Sequence, residues 1–315
     1  MTYAGRTGRW RVAATLAAAL AAAAVLAWAL AGRRDDFATA LQAAPLWLLG
    51  VAAVLQVVAL VSRSEAWHVS VCAAGGCVER RTLLHAAGIG NLANVVNSQL
   101  GTAARIAMLR RTAPDDAPRV PALIAAEVPI VSIEVALAAL ASFTLVGPLG
   151  LPWWLPLLCL AVAGAAIAAL GRLSGNHRRN CWKGLAVLRS LRGRNRVLGL
   201  VLVAVFAQIL RNWLMLHAVG VDASLFDATA VLIAMVALSQ LPIGPSVGAA
   251  AVVLILGTGG VAATAAAGIL LTATGTVGAL SFAAWAALDR LRPSVPRVVA
   301  VVPPPGAMLA ESPQP

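Results

Sequence analysis

Apolar residues run along this chain in long blocks, separated by short clusters of arginine, glycine and proline. Residues 12–31 contain one Thr and no charged side chain. A hydrocarbon core of roughly 30 Å needs about 20 residues of helix, so this block predicts a membrane span. Comparable blocks predict further spans at about 44–62, 121–147, 153–171, 197–219 and 261–288. Two stretches break the pattern. Residues 83–100 carry Gly88, Gly90, Asn91, Asn94 and Asn97, poor occupants of a lipid-facing helix because hydrocarbon offers their amides no partner. Residues 228–241 and 247–256 are apolar but each too short to cross, and they are joined by Pro-Ile-Gly-Pro-Ser at 242–246.

Charge placement orients these blocks. The net charge is +12, and Lys183 is the single lysine, so arginine carries almost all of it. The arginines gather in short loops, which is the positive-inside pattern. That placement favours membrane topology over nucleic-acid binding as the reason for the basic balance. The loop at 63–82 and the loop holding Arg105, Arg110, Arg111 and Arg119 both read as cytoplasmic. Between two cytoplasmic loops a single crossing is impossible, so 83–100 predicts a re-entrant hairpin from the inside. Gly147–Pro152 predicts an external turn, with Trp153 and Trp154 as interface anchors. Residues 172–196 hold eight Arg/Lys and no acid, a cytoplasmic loop or a basic amphipathic helix on the inner leaflet. The segment 228–257 then predicts a second hairpin, entering from the outside.

The expected fold is therefore all-α: a polytopic membrane protein of about six full spans plus two re-entrant helical hairpins in an inverted repeat, or eight spans if both hairpins cross. Broken helices at corresponding places in such a repeat point to a transporter's central site. The expected organisation is a cytoplasmic N-terminus at 1–11, a transmembrane domain at 12–290 and a Pro-rich disordered cytoplasmic tail at 291–315. Both termini face the cytoplasm on this reading, and the location is the cytoplasmic membrane. Composition agrees: 60% of residues are hydrophobic and 11% charged, where a soluble domain is nearer a quarter charged. The basic N-terminus resembles a signal peptide, but its apolar core exceeds the usual roughly 7–15 residues and reads as an uncleaved first span.

Few residues carry candidate chemistry. Arg105 follows the first hairpin. With Gly101 as a helix break and Thr102 as a cap, a helix starting here would offer backbone N–H groups and a guanidinium to an anion such as a phospholipid phosphate. The alternative is a topology-setting arginine. Glu127 and Glu134 lie seven apart on one helix face, and Glu127 is a candidate partner for Arg105. Glu134 and Arg211 sit near the middles of their spans and are expected to form a buried ion pair, either locking two helices or serving transport. Asn91, Asn94, Asn97 and Gln99 on one side, with Ser239 and Gln240 on the other, are candidate hydrogen-bonding groups for a substrate. His68, Cys72 and Cys77 fit no standard zinc spacing, so no metal and no cofactor is expected. No Gly-Lys phosphate loop, His-Glu zinc pair or Ser/His/Asp arrangement supports an enzyme.

The stretch GIGNLANVVNSQLGTAARIAMLRR (88–111) resembles a motif of the lysylphosphatidylglycerol synthase transmembrane region family, also called flippase-like proteins. That motif has an Asn, a Pro-containing turn, Gly-Glu-x-x-Arg, then a leucine and basic residues. Asn91 or Asn94, Gly101, Arg105, Leu109 and Arg110 stand at its places. ALIAAEVPIVSIEVALAAL is similar to the family's Glu-Arg-x-x-Asp helix through Glu127. LPIGPSVGAAAVVLILGTGGV is similar to its Pro-x-x-Pro-Gly-x-x-Gly segment. This chain has Thr102 where the motif has its acid, Val128 and Val131 for the arginine and aspartate, and Ser246 for a glycine. The resemblance covers about 50–288. It implies the membrane part alone, without a synthase domain, and a role in moving lipid between leaflets. The expected function is a translocator for a polar-headed, anionic or polyprenyl-linked lipid, with membrane lipids as partners. Two alternatives stand beside it: a non-transporting accessory of envelope-lipid biosynthetic enzymes, and an ion-coupled small-molecule transporter.

Overall fold

A computed structural model of the chain describes residues 34–76, 78–96, 98–114, 116–174, 187, 190–238, 247–256 and 261–291. The expected first span, the terminal segments and the centre of the basic stretch at 172–196 lie outside them, as does the turn at 242–246. Every described element is helical. In chain order they are α1 (Arg34–Ala43), α2 (Leu46–Ala73), α3 (Arg80–Val96), α4 (Ser98–Thr112), α5 (Val120–Ala125), α6 (Val128–Ala141), α7 (Val146–Leu149), α8 (Trp154–Ser174), α9 (Leu191–Ala218), α10 (Leu225–Leu238), α11 (Val247–Leu256) and α12 (Val261–Leu291). Four stretches are long and apolar enough to cross a bilayer: Leu46–Ala73, Val120–Leu149, Leu191–Ala218 and Ala262–Asp289. All four coincide with spans expected from the hydrophobic pattern. Large apolar side chains such as Val54, Leu140, Val162, Phe206 and Leu280 are exposed on the helices. A chain whose outer surface is apolar is built for lipid rather than water.

Helix extends beyond the expected spans in two places. The segment between the expected spans at 12–31 and 44–62 contains helix α1, which packs on α12. This helix stops at Ala43, because Ala44 precedes Pro45 and the proline ring disfavours helical geometry there. Helix α2 also runs past the expected span end at residue 62, and carries Arg63, Glu65, His68 and Cys72 in helix rather than loop. Its second half stays helical because one face is buried, including Ser62, Ser64, Ala66, Trp67, Ser70 and Val71. It ends where Gly75 takes a left-handed φ of 91°, which costs a glycine little.

The long helices α2 and α9 pack along their length and run antiparallel. Leu48 and Ala52 share a core with Met215 and Leu216, Ala59 meets Ala204 and Ala207, and Trp67 and Val71 share a core with Val197 and Val201. Helix α12 packs against both and against α3 and α11. Two main cores thus form at opposite ends of α2. One gathers α10, α11 and the first half of α12, with buried Ala228, Val231, Ala251, Val252 and Leu271. The other gathers α3, α4 and the start of the Val120–Leu149 stretch, with buried Leu83, Ala86, Leu109, Leu123 and Ile130.

Candidate functional site

The polar stretch 83–100 falls within α3 and α4, which pack antiparallel. Their glycines set the spacing. A Cβ on Gly90 would lie 2.8 Å from the Cβ of Arg105 and 2.9 Å from the carbonyl oxygen of Gly101. A Cβ on Gly101 would lie 2.8 Å from that of Asn94 and 2.9 Å from the oxygen of Gly90. Small residues at a crossing let two backbones approach to this degree. A pair of packed helices is therefore present here, with bounds beyond the expected 83–100. The second helix continues to Thr112 and takes in Arg105 and Arg110.

The local reading at Gly101 is corrected. Gly101 does not break a helix and Thr102 does not cap one; both lie inside α4, which begins at Ser98. Arg105 is therefore a mid-helix residue, away from the free N–H groups of a helix start. Glycine at 101 serves close approach to α3, not chain reversal.

The Arg105 side chain is turned into the protein and meets two groups. Its Nη2 donates to Glu127 Oε1, and the two side chains are 13% and 14% exposed. Its Cζ lies 4.1 Å from the ring centroid of Trp67, which is fully buried. A guanidinium over an indole face is attracted by the ring's quadrupole. The partnership of Arg105 with Glu127, a candidate pairing in the sequence, is what the structure contains. Proline positions the acid. Pro129 has no N–H for the carbonyl of Ala125 and its ring crowds that carbonyl, so the helix stops at Ala125 and resumes at Val128. Glu127 lies in this break. The Nε of Arg105 is buried without a partner among the described residues.

A second pair adjoins the first. Arg63 Nη2 donates to Glu134 Oε2 at 3.0 Å, with both side chains partly exposed. This corrects the expected Glu134–Arg211 pair. Glu134 is taken by Arg63 of α2, and Arg211 is held elsewhere. Equal depth along two spans does not place two side chains on facing sides of their helices: Glu134 meets Arg63 of α2, while Arg211 meets Gln56 of α2 and the Leu271 carbonyl of α12.

Arg211 is 4% exposed and sits between α2, α9 and α12. Its Nη1 donates to Gln56 Oε1 and, at 3.0 Å, to Gln208 Oε1. Its Nη2 donates to the carbonyl oxygen of Leu271 at 2.6 Å. Gln208 Nε2 donates to Gln56 Oε1 at 3.1 Å, so the two amides are oriented by each other. Sequence reasoning missed both glutamines. The signal was available: Gln56 and Gln208 are uncharged amides near the middles of apolar spans, and an amide in hydrocarbon requires a partner.

Of the remaining expected site residues, Asn91 is half-buried and Asn94 exposed on α3, beside the Gly90–Gly101 crossing. Asn97, Ser239 and Gln240 lie outside the described residues. Gln99 is in α4, and its side chain is likewise outside the description. The chain matches no protein-family model, and no curated protein or solved structure shows significant similarity to it.

Proposed function

We propose that the chain is a lipid translocator of the cytoplasmic membrane, moving a polar-headed, anionic or polyprenyl-linked lipid between leaflets. The observation that carries this reading is Arg105. A guanidinium is placed inside an apolar protein, at the tight crossing of a polar helical hairpin, and held by one carboxylate and one indole face. Ionisable groups at membrane depth are costly, and they usually face a cavity or a substrate path. Arginine presents five donors in a planar fork, and Glu127 engages Nη2 while Nε stays free among the described residues. A head-group phosphate entering beside Asn91 and Asn94 would take up the unused donors and compete with Glu127 for the rest. The acyl chains would remain in lipid.

The architecture favours the same reading. The first hairpin, α3 and α4, belongs to the core at one end of α2, and the short pair α10 and α11 belongs to the core at the other. An inverted repeat with six full spans and a hairpin entering from each face would produce this arrangement. Rocking about the repeat axis would then expose the site to each leaflet in turn.

Native mass spectrometry of the purified chain in mild detergent tests the binding step. An anionic or polyprenyl-phosphate lipid should co-purify, and Arg105→Ala should release most of it. A preparation that carries no phospholipid, or carries the same amount after Arg105→Ala, would remove Arg105 from the site.

A further inference from the structure

We infer that Arg211, with Gln56 and Gln208, forms a second binding station, one that takes an oxyanion of the phosphate type in the interior between α2, α9 and α12. Arg105, Arg63, Arg80 and Arg81 each have a carboxylate within ion-pair distance. Arg211 is more deeply buried than any of them and has no carboxylate at that distance among the described residues. Its partners are two amide oxygens and a backbone carbonyl, all neutral. They satisfy hydrogen bonds and leave the positive charge uncompensated. A lone cation in an apolar interior carries a large desolvation cost, which a bound anion offsets.

The unused donors point the same way. Nη1 has both hydrogens engaged, Nη2 has one, and Nε–H is buried without a partner among the described residues. Nε and Nη2 form the side of the guanidinium that grips two oxygens of one anion. Asn212 adds polarity at this depth: it is 1% exposed, and neither its Nδ2 nor its Oδ1 has a partner among the described residues. Helix α12 offers glycine rather than a side chain here. A Cβ on Gly275 would stand 3.3 Å from Nη2, and one on Gly278 would collide with Gln56 Cγ at 2.5 Å. These two glycines let the polar side chains of α2 and α9 in and keep the face of the guanidinium clear.

The station stands whether or not the chain moves lipid. If it does, the two stations are linked along α2. Gln56, Arg63 and Trp67 are spaced by 7 and 11 residues (63 − 56 and 67 − 56), which places them on one helical face. At 1.5 Å per residue, Gln56 and Trp67 are roughly 16 Å apart along the axis.

The test uses the full purified chain in detergent. Inorganic phosphate is titrated at constant ionic strength against chloride, and short-chain phosphatidic acid against the matching diacylglycerol, read by calorimetry and thermal unfolding. Phosphate-bearing probes should bind and raise Tm, since a ligand that binds the folded state alone stabilises it. Arg211→Gln should weaken binding at least ~10-fold, the scale of a charge-assisted fork worth about 1.4 kcal/mol or more. Arg211→Lys, which keeps the charge without the fork, should fall between. Gly275→Ala keeps the arginine and crowds Nη2, so it should also weaken binding, and it serves where Arg211→Gln fails to fold. Binding of both probes supports a site open to free or lipid-borne phosphate. Binding of phosphatidic acid alone assigns the site to a lipid head group. Binding of neither probe, or binding unchanged by both Arg211→Gln and Gly275→Ala, overturns the proposal.

Discussion

At the scale of single residues, the two carboxylates of the Val120–Leu149 stretch do different work. Glu127 faces a guanidinium that is nearly out of solvent, whereas Glu134 faces one that is half exposed. Breaking a buried pair by removing one charge typically costs about 3–5 kcal/mol, while an exposed pair is worth roughly 0–1 kcal/mol. Glu127→Gln should therefore lower thermal stability in detergent well below that of Glu134→Gln. Equal losses would mean that the Arg105–Glu127 contact is not the buried anchor described here. Residue pairing was partly legible in the sequence. The Arg105–Glu127 pair followed from depth and sign of charge. The Glu134–Arg211 pair did not form, because depth says nothing about which way a side chain faces, and the competing partner Arg63 lay in a segment read as loop. The Gln56–Gln208–Arg211 group was missed because the reading followed charges, and two neutral amides do not shift a hydropathy profile much.

At the scale of elements, the long apolar helices were legible because twenty-residue apolar blocks have few other uses in a protein of this composition. The α3–α4 stretch was legible as something other than a plain span because glycines and asparagines interrupt the apolar pattern there. Its inner detail was not. A glycine followed by threonine reads equally as a helix break with a cap or as a close-contact site inside a helix, and the neighbouring helix decides. Here Gly90 and Gly101 face each other across the α3–α4 crossing. Gly90→Ala should strain the hairpin, since the new methyl meets a backbone oxygen and a Cβ that cannot retreat without moving a helix. A loss of about 1–3 kcal/mol is expected, the usual cost of overpacking. Gly164→Ala on α8 is the control: nothing lies within 4 Å of a Cβ there, so the change should be neutral or stabilising by up to ~1 kcal/mol through helix propensity. Thermal unfolding of the two variants side by side checks both; a Gly90→Ala protein as stable as wild type would contradict the tight crossing.

At the scale of the whole molecule, the architecture is an antiparallel α2–α9 pair with a core at each end, and α12 packed against both helices. An inverted repeat would require α10 and α11, in the other core, to be the mate of α3 and α4. Cysteine labelling tests that topology in a variant whose four native cysteines are replaced by serine. Asn94→Cys, exposed on α3, and Ser246→Cys should react with impermeant thiol reagents from opposite faces of the membrane. Reaction of both from one face would exclude the inverted arrangement. Function is where the sequence was least informative, because a polar hairpin and a buried arginine fit several transported anions equally well. The most direct measurement of the central claim is lipid movement itself. The purified chain is reconstituted into vesicles carrying head-group-fluorescent anionic, zwitterionic and polyprenyl-linked lipids, and the outer leaflet is bleached with an impermeant reductant. Loss of fluorescence beyond the outer-leaflet fraction is expected for at least one phosphate-bearing lipid, slowed several-fold by Arg105→Ala. A folded protein that moves none of these lipids faster than protein-free vesicles would contradict the claim.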